Sequence, residues 1–316
     1  MSPIRKKISV VTPCYNEEEN VTTCYEEIKA LFDNELKDYD REHIFCDNAS
    51  VDGTVKILEG IAANDPSVKV IVNANNFGVF RSMFNGLLST SGDAVVPFMP
   101  ADLQDPPEVI PLFVAKWEEG YKVVYGQRNE REEFWFKRML RGIYYRFIKR
   151  YSSVNQPLDA GEFQLIDKQV VTALRQFDDY QPYLRGMIFS CGFKSTGIPY
   201  RWKRRMKGVS KAGLLAMFDQ GLNGMVSSTN VPIRFGMIIG ILISIFSVGY
   251  ALFNILLYIF AEEPLADKGI MTLIVALFML SGIQIFFTSL VGEYVASIHS
   301  QVRKGPLVIE EKRINF

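Results

Sequence analysis

Short apolar runs alternate with amphipathic stretches over the first part of the chain. Lys7 to Tyr15 (KISVVTPCY) reads as a buried strand. Asn16-Glu17-Glu18-Glu19 follows, with Asn16 suited to an N-cap and Glu19 at the capping-box position of a helix reaching about Phe32. His43 to Asp47 is a second strand, and Asp52 is placed to cap a helix ending near Ala63. Val68 to Val72 is a third strand, Asn75 to Gly78 a turn and Val79 to Leu88 a helix. Ala94 to Met99 is a fourth strand, Pro107 to Glu119 its helix, and Lys122 to Gly126 a fifth strand. This alternation predicts an α/β fold: a Rossmann-like, mostly parallel sheet with helices on both faces.

The pattern changes towards the C-terminus. Phe235 to Phe260 and Gly269 to Gly292 contain no charged residue, and each is long enough to cross a hydrocarbon core of roughly 30 Å as a helix. The loop between them, Ala261 to Lys268, is short and acidic, whereas Arg201, Lys203, Arg204, Arg205, Lys207, Lys211 and Arg234 precede the first span and Arg303, Lys304, Lys312 and Arg313 follow the second. Positive charge stays cytoplasmic, so the expectation is a multi-pass protein of the inner (cytoplasmic) membrane with both termini inside. The domains expected are a cytoplasmic catalytic domain over 1–198, a juxtamembrane segment over 199–232, two transmembrane helices over 233–295 and a cytoplasmic tail over 296–316. No apolar signal-peptide core precedes the first strand.

Composition narrows the chemistry. Lys+Arg and Asp+Glu balance at 35 each, so net charge gives no argument for nucleic acid. With two histidines in the chain, His43 and His299, a histidine-based metal site or catalytic triad is disfavoured. Cys14, Cys24, Cys46 and Cys191 lack metal-ligand spacing. Neither a G-x-G-x-x-G nor a G-x-x-x-x-G-K-[ST] segment is present, which disfavours dinucleotide binding and a P-loop. Polar residues instead gather at the ends of the expected strands: Tyr15 and Glu17, Asp47, Asp102 and Gln104, then Arg128. Ligands bind at the carboxyl ends of strands in open α/β sheets, and the oxygens of Asp102 and Gln104 suit Mg²⁺ or Mn²⁺ carrying a phosphate-bearing substrate. Asp105 and Glu108 also fit a helix N-cap box.

Val11-Thr12-Pro13-Cys14-Tyr15-Asn16-Glu17-Glu18, Asp47-Asn48-Ala49-Ser50-Val51-Asp52-Gly53-Thr54, Asn76-Phe77-Gly78 and Ala101-Asp102-Leu103-Gln104-Asp105-Pro106-Pro107-Glu108 together resemble inverting glycosyltransferases of the GT-A fold. More narrowly they resemble polyprenyl-phosphate glycosyltransferases, relatives of dolichol-phosphate mannose synthase, and the two apolar runs resemble the bacterial undecaprenyl-phosphate branch. The resemblance implies transfer of one sugar from a nucleotide sugar to a polyprenyl phosphate at the bilayer, for cell-envelope glycan modification. It implies that Pro13, Tyr15, Glu17 and Asp47 hold the nucleoside, and that Asp102 and Gln104 hold Mg²⁺ or Mn²⁺ on the donor diphosphate. Gly126, Arg128 and Arg131 resemble a G-x-R-x-x-R element that would meet the diphosphate or the lipid phosphate; a solvated charged turn is the other reading.

Tyr200 to Lys211 resembles the family's juxtamembrane Y-x-R-x-x-R-x-x-G-x-S-K, which adds Arg205, Ser210 and Lys211 to the acceptor side, while Trp202 replaces the first arginine. Glu133 to Tyr151, aromatic and basic, suits either a headgroup-level helix or an amphipathic core helix. Two departures stand out. Pro100 occupies the first aspartate of the family's D-x-D, and Glu162 and Gln164 replace the aspartate and arginine of its G-D-F-R-L. Asp102, Glu162 and Arg128 are the catalytic candidates. The alternatives are an inactive transferase-like scaffold for a flippase or polymerase, and a processive polysaccharide synthase, which would call for more membrane helices and a Q-x-x-R-W motif. The membrane helices could also pair copies of the chain into a homo-oligomer.

Overall fold

The computed structural model describes residues 5–128, 157, 160–203, 269–303 and 305–316, with isolated positions between 238 and 260. The chain divides into two compact units, one of Met1–Gln220 with Lys304–Phe316 and one of Gly221–Arg303.

The first unit is built on an eight-stranded mixed sheet. Its elements in chain order are β1 (Lys7–Cys14), α1 (Val21–Asn34), β2 (Asp40–Asp47), α2 (Thr54–Asn64), β3 (Val68–Asn73), α3 (Val79–Leu88), β4 (Ala94–Val96), a 3₁₀ turn (Pro107–Val109), α4 (Ile110–Glu118) and β5 (Val123–Arg128). Then come β6 (Ala160–Asp167), α5 (Lys168–Leu174), α6 (Leu184–Ser190), β7 (Ser195–Tyr200) and, at the far end of the chain, β8 (Glu310–Ile314). The strand order is β7-β5-β6-β4-β1-β2-β3-β8. β6 runs antiparallel to both its neighbours and β8 antiparallel to β3; the other strands share one direction. This is the Rossmann-like, mostly parallel sheet expected from the alternation.

Period-two burial explains why both faces are covered. Val10 faces one cluster with Ile28, Phe113 and Phe163, while Val11 faces another with Met83, Phe84 and Leu87. Leu165 and Ile166 divide in the same way. Strands buried on both sides read as continuous apolar runs, which is why β1 to β5 are legible in the sequence.

Three local expectations are corrected. Asn16 does not cap α1: it adopts φ +53°, and α1 starts five residues later after Asn20, without a side-chain cap. Asp105 does not cap the turn at Pro107, whose N-cap position is Pro106 and carries no side-chain cap bond. The stretch after Lys304 is more than a tail, since it supplies β8. That strand is five residues long and charged (EEKRI), as edge strands commonly are, and so carries little apolar signal.

The second unit contains α7 (Ile270–Val302). Within it, Met279–Val302 is the one stretch among the described residues long and apolar enough to cross a membrane. The first apolar run, Phe235 to Phe260, lies largely outside the described residues.

Candidate active site

The carboxyl ends of β1, β2 and β4 open into a crevice of about 300 Å³. Pro13, Cys14, Tyr15 and Glu17 line it from the end of β1, and Phe98, Pro100, Ala101 and Asp102 from beyond β4. Asn48, Asn76, Val79 and Ser82 complete the wall. Four residues expected at the donor site, Pro13, Tyr15, Glu17 and Asp102, therefore share one cavity. Asp47 lies just beneath, fully buried, accepting from the Ser50 backbone N–H at 2.9 Å and from the Ser50 hydroxyl. Burial holds its carboxyl above the usual aspartate range, against those two bonds.

The loops around the crevice are tied to one another. Ser50 Oγ accepts from the Asn16 backbone N–H at 2.8 Å, and Asn16 Oδ1 accepts from Val51 N–H at 2.8 Å. Glu17 N–H donates to Thr54 Oγ1 at 2.9 Å, and Gly53 N–H donates to Glu18 Oε2 at 2.7 Å. Asp52 Oδ1 accepts from Thr54 N–H at 3.0 Å, but the N-cap position of α2 is taken by Gly53 rather than by Asp52 as expected. The Asp47-to-Thr54 segment thus braces the one that carries Tyr15 and Glu17. Asn16 tolerates its left-handed backbone because asparagine adopts that region more readily than most residues.

An amide cluster not assigned a role from sequence closes the β2–β3 side. Asn48 Nδ2 donates to Asn76 Oδ1 at 2.7 Å, and Asn73 Nδ2 donates to Asn48 Oδ1 at 3.2 Å and to Ser82 Oγ at 3.0 Å. The signal was present as Asn48, Asn73 and Asn76 placed at two strand ends, but asparagine there also suits turns.

The loop after β4 carries the next group. Leu103 stands at φ +53°, an outlier for a bulky residue, with its N–H donating to Pro100 O at 3.0 Å. This turn lets Gln104 N–H donate to Asp102 Oδ1 at 3.2 Å. Gln104 is not among the residues lining the crevice; its carbonyl accepts from Lys203 N–H at 2.9 Å. Pro100 does line it and offers no side-chain oxygen. Among the described residues no three acidic, histidine or cysteine side chains converge. Of the expected pair only Asp102 lines the crevice, and a single carboxylate fits Mg²⁺ or Mn²⁺, which keep waters and take substrate phosphate oxygens as further ligands.

Asp105, 1% exposed, is the centre of a different constellation. It accepts from Arg128 Nη2 at 3.1 and 3.3 Å and from the Tyr200 hydroxyl, and that hydroxyl accepts from Arg128 Nε at 3.0 Å. Trp202 covers the guanidinium at 5.3 Å. Burial alone would lower the guanidinium pKa, but the Asp105 charge and Tyr200 hold it above the usual arginine value. Burial and the Asp105 charge push the Tyr200 phenol well up, so it stays a donor.

Glu162, on β6, forms an ion pair with Arg185 of α6, whose Nε donates at 3.1 Å. Gln164 is fully buried and donates to Gly161 O at 2.8 Å. Arg131, Arg205, Ser210 and Lys211 lie outside the described residues, as do Glu133 to Tyr151.

Residues 9–175 match the family model described as Glycosyl transferase family 2. Over the whole length the chain is 32% identical to the uncharacterized glycosyltransferase YkcC of Bacillus subtilis, across 96% of this chain and 93% of that one. It is 30% identical to the SfII prophage-derived bactoprenol glucosyl transferase of Shigella flexneri, across 97% and 98%. Among solved structures, glucosyl-3-phosphoglycerate synthase from Mycobacterium tuberculosis superposes with a TM-score of 0.49 at 22% identity, over 70% of this chain and 79% of that one.

Proposed function

The chain belongs to glycosyl transferase family 2, and on that premise we propose that it moves a single sugar from a nucleotide-sugar donor to a polyprenyl phosphate, with inversion, at the cytoplasmic face of the inner membrane. The observation that carries this reading is the convergence of Pro13, Tyr15, Glu17 and Asp102 on one crevice at the strand ends. The full-length likeness to a bactoprenol glucosyl transferase supports the acceptor class. The apolar stretch Met279–Val302 supports a membrane anchor, which Phe235 to Phe260 would complete as the first of two spans.

The donor's nucleoside occupies the crevice, with the Tyr15 ring packing on the base and Glu17 accepting from N–H or hydroxyl groups, while buried Asp47 holds the Ser50 turn beneath them. Asp102, the one of the two expected metal ligands that lines the crevice, would hold a Mg²⁺ or Mn²⁺ ion that supplies positive charge at the donor diphosphate. An oxygen of the acceptor phosphate attacks the anomeric carbon in line; the bond from that carbon to the diphosphate oxygen breaks, and its electron pair leaves with the nucleoside diphosphate. Arg128 places a fixed guanidinium near the departing charge, where preorganised donors act most strongly. Arg131, Arg205, Ser210 and Lys211 serve the acceptor phosphate. Glu162, paired with Arg185, orients the acceptor side.

The test is acceptor dependence. Purified full-length protein with Mg²⁺ is offered a panel of nucleotide sugars with and without undecaprenyl phosphate. Release of nucleoside diphosphate from one donor, only when the lipid phosphate is present, is the expected result. Release that ignores the lipid, or none from any donor, contradicts the reading.

A further inference from the structure

Asp105 lies three residues after Asp102, so their Cα atoms are at most about 11 Å apart. One carboxylate lines the crevice; the other is buried against a guanidinium. A buried carboxylate needs compensation, and the compensation here is geometrically specific. Arg128 Nε donates to the Tyr200 hydroxyl, that hydroxyl donates to Asp105 Oδ1, and Asp105 accepts from Arg128 Nη2. The three side chains form a closed ring of hydrogen bonds along one edge of the guanidinium. Trp202 covers its face. Arginine carries five donors in a fixed fork, so the Nη1 group is left over. Among the described residues none takes it, and about a quarter of the Arg128 side chain remains exposed.

The same loop is strained in a way that serves this arrangement. Leu103 holds a left-handed backbone between Asp102 and Asp105 and packs against two core clusters. Such strain persists only where the surroundings over-determine it. The ring of bonds at Asp105 and the core around Leu103 are what fix it here.

We propose that Asp105 is a positioning residue. It holds Arg128 side-on so that Nη1 presents to the second phosphate of a bound nucleoside diphosphate, and it sets the loop that carries Asp102. This rests on the crevice being the donor site. Asp105 touches no substrate itself; it acts through Arg128.

The test measures affinity rather than turnover. Calorimetry on the full-length protein in Mg²⁺ buffer compares UDP with UMP, and GDP with GMP. Asp105→Asn should weaken diphosphate binding about tenfold, as expected for misplacing a charge-assisted hydrogen bond, while monophosphate binding is unchanged. Combined with Arg128→Lys, Asp105→Asn should add no further loss, because both act through one contact. Tyr200→Phe keeps the buried ion pair, so it tests the ring in a well-folded chain; it should show the same diphosphate-selective loss in smaller measure. Equal losses for mono- and diphosphate, additive losses in the double variant, or unchanged UDP and GDP affinity in Asp105→Asn and Tyr200→Phe beside an impaired Asp102→Asn would each overturn the proposal alone. A wild-type protein that binds neither UDP nor GDP would overturn the donor-site reading, and this inference with it.

Discussion

Asp102 and Asp105 look alike in sequence and differ in place. The D-x-x-E spacing at Asp105 and Glu108 reads as a helix cap, whose loss costs about 1 kcal/mol. Instead Asp105 is sealed in with Arg128 and Tyr200, a partnership that sequence spacing does not show because the two residues end neighbouring strands of the sheet that lie far apart in the chain. By contrast Tyr15, Glu17 and Asp102 were legible because each follows an apolar run that had to be a central strand. Glu162 was legible as a carboxylate, but its partner Arg185 was not. The ion pair favours a positioning role, and a phosphate monoester acceptor of the proposed kind would need little deprotonation, since its second pKa is ~6. Glu162→Gln should lower kcat about tenfold, well short of losing a strong general base, with an unchanged pH profile. Recovery of the variant as pH rises, against a flat wild type, would assign Glu162 as the base. His43 gives a prediction about stability. It is buried against Phe45, its Nε2 meets Thr12 Oγ1 at 2.9 Å, and its Nδ1 has no partner. Burial, and then the charge of Arg41, lower its pKa to about 3. The unfolded chain takes up a proton as pH falls through ~6.5 while the folded one does not, so stability is lost below that value, by about 1.4 kcal/mol at pH ~5.5. His43→Gln should flatten this part of the melting-temperature profile between pH 7.5 and 5.5; an unchanged slope would assign it to other groups.

At the scale of elements, β8 changes how the end of the chain is read. Arg81 of α3 donates to Leu307 O at 2.7 Å and to Pro306 O at 3.0 Å, Asn85 donates to Glu310 at 2.6 Å, and Lys312 pairs with Glu59 at 2.6 Å. Asn315 Nδ2 donates to Ala62 O at 2.7 Å and Val68 O at 2.9 Å. The returning segment therefore clasps α3, whose Val79 and Ser82 line the crevice. Removing 307–316 should cost several hydrogen bonds at about 1 kcal/mol each and weaken nucleotide binding through α3. Thermal melting with and without UDP or GDP checks both, and a truncated chain with wild-type melting and affinity would reduce the clasp to decoration. β6 and β7 went unread for a related reason. β6 holds Gly161, Glu162 and Gln164 among its apolar positions and β7 is half-exposed at the sheet edge, so neither shows the continuous apolar run of a central strand.

For the whole molecule, the proposed function requires a donor on the cytoplasmic side and an acceptor held in the membrane. The charge asymmetry predicts that a tag within Ala261 to Lys268 is reachable only from outside the cell, and tags at either terminus only from inside. Protection of the loop tag in intact cells, with exposure of a terminal one, would reverse the orientation and separate the crevice from a cytoplasmic donor. The central claim, that this chain places one sugar on a polyprenyl phosphate using Asp102, is tested most directly by the mass of the lipid product. Purified wild type and Asp102→Asn are incubated with undecaprenyl phosphate, Mg²⁺ and the donor that supports turnover. The account predicts a lipid phosphate heavier by a single sugar from wild type and at least about a hundredfold less from the variant, in the range seen when a transition-state charge stabiliser is removed. A ladder of several sugars, an unmodified lipid, or equal product from Asp102→Asn would contradict it.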